Sequence, residues 1–112
     1  MERMTMKTAL DNLCVNYGKY GFTRAQFKAM LQSGIDRGIS VLGAYNGIRM
    51  IAAQETGEHE LFTSADIASM TGESIAEVNR RIEEYGEELK AEGKNPDDYY
   101  RLHDPIRILT KL

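Results

Sequence analysis

The chain holds a single cysteine, no long apolar run and no glycine-rich loop of the kind that cradles a phosphate. One cysteine excludes a disulfide framework and a thiolate metal site, and the apolar neighbours of Cys14 point to a buried structural thiol. No stretch approaches the roughly 18 apolar residues that a membrane helix needs. The opening residues, Met1-Glu2-Arg3-Met4-Thr5-Met6-Lys7, also lack the apolar segment of a signal peptide, so a cytoplasmic protein is expected.

Catalytic constellations are missing as well. His103-Asp104 has the order of a base and its orienting acid, but no serine or cysteine nucleophile is identifiable for it, and a surface pair is the better reading. His59 stands between Glu58 and Glu60, and adjacent residues of an extended segment point in opposite directions, which suits a solvated acidic loop better than a metal site. Glu83-Glu84 and Glu87-Glu88 supply carboxylates with no sign of the burial that tunes a catalytic acid. The expectation is a non-enzymatic binding protein with no metal and no cofactor.

What is present is a 112-residue chain, 42% apolar and 28% charged, the length of one domain with a single modest core. Its net charge of −3 is unevenly spread. Residues 1–54 carry seven Lys/Arg against three acids, residues 55–98 carry thirteen acids against four Lys/Arg, and the last fourteen residues are basic again. Such a chain is bipolar if these segments form separate faces. The expected organisation is one domain, with basic N-terminal helices over 1–57, an acidic hairpin over 58–93 and an extension over 94–112.

Apolar spacing and cap residues predict a mainly α-helical bundle of five or six helices. Met6, Ala9, Leu10, Leu13, Cys14 and Tyr17 form one stripe of a helix over 5–16, ended by the glycines of Tyr17-Gly18-Lys19-Tyr20-Gly21. Thr23 with Gln26 reads as a capping box, with Phe22 stapled onto Phe27, and Gly34 reads as a left-handed stop followed by a connector to Ile39. Ser40 caps a third helix over 41–55, whose expected buried side is Leu42, Tyr45, Ile48, Met50, Ile51 and Ala52. Gly43 and Gly47 share a face that would let another helix approach. Thr63 and Asp66 repeat the capping logic, with Phe62 stapled onto Ile67.

Phe22, Thr23, Ala25, Met30 and Ile35 recur forty residues on as Phe62, Thr63, Ala65, Met70 and Ile75. The repeat over 22–39 and 62–79 suits either an old duplication or shared capping chemistry. A last long helix over 75–92 carries the seam Ile75, Val78, Ile82, Tyr85 and Leu89, with Gly86 weakening it and Gly93 ending it. Asn95 and Pro96 begin a short capped helix. Of Tyr99-Tyr100, beside Arg101, one ring packing in the core with the other partly exposed is a commoner arrangement than stacking on bases. The alternation of Ile106, Ile108, Thr110 and Leu112 over 105–112 reads as an edge strand or as a segment ordered by a partner.

The stretch Asp66-Ile67-Ala68-Ser69-Met70-Thr71-Gly72-Glu73-Ser74-Ile75-Ala76-Glu77-Val78-Asn79-Arg80-Arg81-Ile82 resembles helix-turn-helix families. These commonly place a small residue where the helices cross, a turn glycine four residues later and an aliphatic residue six after that, here Ala68, Gly72 and Val78, with Ile67, Ile75 and Ile82 completing the inner face. The resemblance covers about twenty residues and implies a small DNA-binding regulator acting as a dimer. It implies that Asn79 reads adenine and Arg80 guanine, with Ser74 or Arg81 on phosphate.

Two departures bear on this. Glu73 occupies a turn position where these families commonly have an aliphatic residue, and Glu77 lies on the face that approaches DNA. Arg81 and Arg80 have Glu77 and Glu84 four residues away, which predicts surface pairs. A second reading therefore stands beside the first: an inhibitor or adaptor that docks its acidic helix, through Glu77, Glu83, Glu84, Glu87 and Glu88, on a basic nucleic-acid-binding protein. In size and charge it is similar to phage and mobile-element anti-defence proteins such as anti-CRISPRs.

Overall fold

The structure, a computed structural model, describes residues 4–103 and 106–109. The protein is mainly α-helical, with five α-helices among the described residues. The chain divides into two compact units, Met1–His59 and Glu60–Leu112, parting within the acidic connector.

Three helices build the first unit: α1 (Met6–Tyr17), α2 (Arg24–Asp36) and α3 (Val41–Thr56). Each starts where a side-chain oxygen meets first-turn amides that have no intrahelical partner. Thr5 accepts from the Thr8 amide, Ser40 from the Gly43 amide, and Thr23 and Gln26 form the full capping box. Phe22 stacks on Phe27 at 5.2 Å, as the staple predicted. Between α1 and α2 the chain makes one 3-10 turn and reverses at Gly21, φ 95°. The core joins Ala9, Leu10, Leu13 and Tyr17 of α1 to Phe27 and Leu31 of α2 and to Ala44, Ile48 and Ala52 of α3. Each of the larger aliphatic or aromatic side chains stabilises the unit by about 1.5–3 kcal/mol on burial.

Two expectations for this unit are corrected. Gly34 does not stop α2; the helix continues to Asp36, and the left-handed glycine is Gly38, φ 88°. A Cβ on Gly34 would lie 2.9 Å from that of Ala44, so this glycine serves the close approach of α2 and α3. The buried side of α3 is Gly43, Ala44, Asn46, Ile48, Ala52 and Ala53, whereas Leu42 is 43% and Ile51 47% exposed. Only Ile48 and Ala52 of the expected stripe are buried; the other buried positions are mostly small residues, of which Ala44 meets Gly34 of α2.

At the surface of this unit the Tyr20 hydroxyl donates to Glu58, and Lys19 Nζ lies 3.1 Å from the same carboxylate. These contacts, the tyrosine first, hold the Glu58 carboxyl below its ordinary value. The hydrogen bonds from Lys7 and Arg24 do the same for Asp11.

The second unit places α4 (Ser64–Thr71) and α5 (Ile75–Ala91) between β1 (Phe62–Thr63) and the hairpin of β2 (Tyr100–His103) and β3 (Ile106–Leu109). The three strands form an antiparallel sheet in the order β1-β3-β2, with Phe62 opposite Leu109 and Arg101 opposite Ile108. The expected tail strand exists over Ile106–Leu109 but is central rather than an edge, because β1 and β2 flank it. Asn95 accepts from the Asp97 amide and starts a 3-10 turn, Pro96–Asp98, which leads into β2. Pro105, Thr110, Lys111 and Leu112, like Asp104 of the His103-Asp104 pair, lie outside the described residues.

The seam of α5 also differs from its expected form. Val78, Ile82, Gly86 and Leu89 are buried, while Ile75 is 41% and Tyr85 43% exposed. Gly86 belongs to the seam because Tyr100 packs there: a Cβ would overlap the Tyr100 hydroxyl, and the ring also rests on the Ala68, Val78 and Ile82 cluster. Tyr99 meets Tyr85 edge-on at 6.2 Å. Helix propensity alone favours Ala over Gly by about 1 kcal/mol, but overpacking costs about 1–3 kcal/mol. Gly86→Ala is therefore expected to lower the thermal midpoint, and less so in a Tyr100→Phe background; a stabilised Gly86→Ala in the wild-type background would contradict the packing of Tyr100 on α5.

Candidate nucleic-acid interface

The α4–α5 hairpin begins with Thr63, whose side chain accepts from the Asp66 amide at 3.0 Å while Asp66 accepts from the Thr63 amide at 3.0 Å. The helix it starts, α4, is only eight residues long and closes at Gly72, φ 79°, whose amide donates to Ala68. Two residues later Ser74 caps α5, accepting from the Glu77 amide at 3.1 Å. Three residues thus reverse the chain between two helices, and Ala68, Val78 and Ile82 fill the angle between them. The small crossing residue, the turn glycine and the aliphatic contact expected from the sequence correspond to these positions. Ile75 departs from that expectation, since its side chain is exposed.

The candidate reading residues differ in availability. Arg80 is exposed, and the Arg80–Glu84 pair expected from spacing does not form among the described residues. Arg81 is paired with Glu73, not with Glu77, because the turn brings Glu73 back over the first turns of α5. Glu77 instead receives the Ser74 hydroxyl at 3.1 Å. Ser74 is thereby committed twice, as acceptor for the Glu77 amide and as donor to the Glu77 carboxylate. Asn79 is half-buried. The arrangement offers a duplex one exposed guanidinium, a second held in an exposed ion pair, and a serine occupied in its cap.

Further along α5, Glu83, Glu84, Glu87 and Glu88 are all exposed, and Glu87 lies 3.4 Å from Lys90. His59 is exposed on the connector. Among the described residues no three of His, Cys, Asp or Glu converge on a position that would hold a metal ion, and no helix is long and apolar enough to cross a membrane.

An alanine at Gly72 would meet no atom within 4 Å, so its cost is that of the left-handed backbone alone, about 1–2 kcal/mol. Gly72→Ala is expected to destabilise the protein by that amount in urea unfolding, and Gly72→Asn by less; equal stability of all three forms would show that the turn does not need its positive φ.

Compared with protein-family models, curated proteins and solved structures, the chain matches none.

Proposed function

We propose that the protein is a small helix-turn-helix DNA-binding regulator. The observation that carries this reading is the three-residue turn between α4 and α5, with left-handed Gly72, the Ser74 cap and the inner contact of Ala68 with Val78 and Ile82. Such a hairpin presents the first turns of its second helix to a major groove. Arg80 supplies two parallel donors for guanine, and Asn79 one donor and one acceptor for adenine. Arg81 reaches phosphate by exchanging the Glu73 carboxylate for it, a small cost because an exposed ion pair is worth about 0–1 kcal/mol. A single motif of this size reads few base pairs, so the regulator works as a dimer on paired half-sites.

The exposed acids of α5 favour a second reading, a protein-binding inhibitor or adaptor that docks Glu77, Glu83, Glu84, Glu87 and Glu88 on a basic nucleic-acid-binding partner. Paired variants separate the two. In the first reading Arg80→Ala with Arg81→Ala weakens binding to a DNA duplex at least tenfold, and Glu73→Gln, which releases Arg81, strengthens it in a low-salt titration. In the second, the arginine pair is silent and Glu84→Lys, Glu87→Lys, Glu88→Lys abolishes capture of the partner.

A further inference from the structure

The first unit contains a hairpin built as α4–α5 is built. Thirty-four residues before Ala68, Gly72 and Val78 stand Gly34, Gly38 and Ala44. The correspondence is structural as well as numerical. Gly38 has φ 88° against 79° at Gly72. Two residues beyond each glycine a serine caps the next helix, Ser40 accepting from the Gly43 amide at 3.0 Å and Ser74 from the Glu77 amide at 3.1 Å. The inward seam is Ala44, Ile48 and Ala52 on α3 and Val78, Ile82 and Gly86 on α5, every one buried. Gly34 sits where α2 and α3 cross, against Ala44, in the place that Ala68 takes. Both first helices begin with a capping box after a phenylalanine; there the offset is forty, because α2 has 13 residues to the eight of α4 and Arg37 follows it.

We infer that residues 23–56 form a second helix-turn-helix, and that this one, more than α5, supplies the phosphate contacts to a nucleic-acid duplex. The inference rests on the reading of the protein as DNA-binding. Its own support is charge and side-chain identity at matched positions. Where the second hairpin has Glu73 and Glu77, the first has Ile39 and Gly43, so both acids that oppose a duplex are missing. Ile39 packs against the core, as an aliphatic turn residue should. From 24 to 56 the chain carries Arg24, Lys28, Arg37 and Arg49 against Asp36 and Glu55. Arg24 is held by Asp11 at 2.8 Å, but Lys28 on α2 and Arg37 in the turn are exposed and enter no ion pair among the described residues. On α3 the half-buried Arg49 donates to Asn46 Oδ1 at 3.3 Å, with its guanidinium 6.0 Å from the centre of the Tyr45 ring. Since Lys and Arg on phosphates dominate duplex affinity, the hairpin with exposed cations and no opposing acids in its turn makes most of those contacts.

The test is anisotropy titration of the full chain with a labelled mixed-sequence DNA duplex over a range of salt. Lys28→Ala with Arg37→Ala should weaken binding at least tenfold at low salt and lower the salt slope by about two, one for each phosphate that is no longer neutralised. Lys28→Arg with Arg37→Lys should bind as wild type, and unchanged circular dichroism of the alanine variant separates a weakened interface from failed folding. Unchanged affinity and slope in the alanine variant, with loss only in Arg80→Ala, Arg81→Ala, would overturn the inference and leave the DNA-binding reading intact. Wild-type protein that ignores the duplex at low salt would overturn both.

Discussion

A left-handed glycine set two residues before a serine cap fixes where the chain turns in each unit, and the rest of the packing depends on it. The glycine ends one helix in a conformation that other residues enter only at a cost of about 1–2 kcal/mol. The serine starts the next by taking up an amide that would otherwise lack a partner. With one residue between them, Ile39 or Glu73, neither helix can lengthen without giving up a cap. The second helix must then lie across the end of the first, which needs a small residue at the crossing: Gly34 against Ala44, and Ala68 against Val78 and Ile82. Turn, cap and crossing residue are therefore one constraint.

The same geometry explains why surface charge distinguishes the two hairpins while their cores stay alike. The left-handed, cap and inner-seam positions are dictated by backbone and packing, so their residue types are confined to glycine, serine and small or aliphatic side chains. Outer positions are not so confined. The Met1–His59 unit, with seven Lys/Arg to five acids, leaves Lys28 and Arg37 outside every ion pair among the described residues, whereas the outer face of α5 carries acids along its length and holds Arg81 to Glu73.

Local rules made the caps legible in the sequence. Thr23 with Gln26, Ser40, and Thr63 with Asp66 each act within three or four residues, and the structure places every one as expected. The buried stripes of α3 and α5 were less legible because periodicity counts large apolar residues. On α3 the buried positions include Gly43, Ala44 and Ala53, which carry little hydrophobic signal, while the conspicuous Leu42 and Ile51 are exposed. On α5 the ring that fills the place of a side chain at Gly86 comes from Tyr100, fourteen residues away, and no helical pattern reports it. The sheet was hidden for a related reason: β1 is two residues at the start of a capping box, and β3 becomes central only because β1, distant in the chain, pairs with the edge that β2 leaves open.

The forty-residue match over the starts of α2 and α4 concealed the more informative one. Aligned on their caps, the two segments agree in Phe22 and Phe62 and in Thr23 and Thr63, residues that any well-capped helix can share on chemical grounds alone. Aligned on the turn glycine, they agree where the constraint is three-dimensional: a positive φ, a cap two residues on, a small crossing residue four before and a buried seam six and ten after. Capping chemistry requires none of the last two. A register that satisfies backbone, cap and core together is stronger evidence of a common build than one resting on caps, and it was obscured because Gly34, rather than Gly38, reads from sequence as the end of α2. Once Gly34 is recognised as the crossing residue, the length difference between α2 and α4 falls in the first helix, ahead of the crossing, where extra residues disturb neither the turn nor the seam.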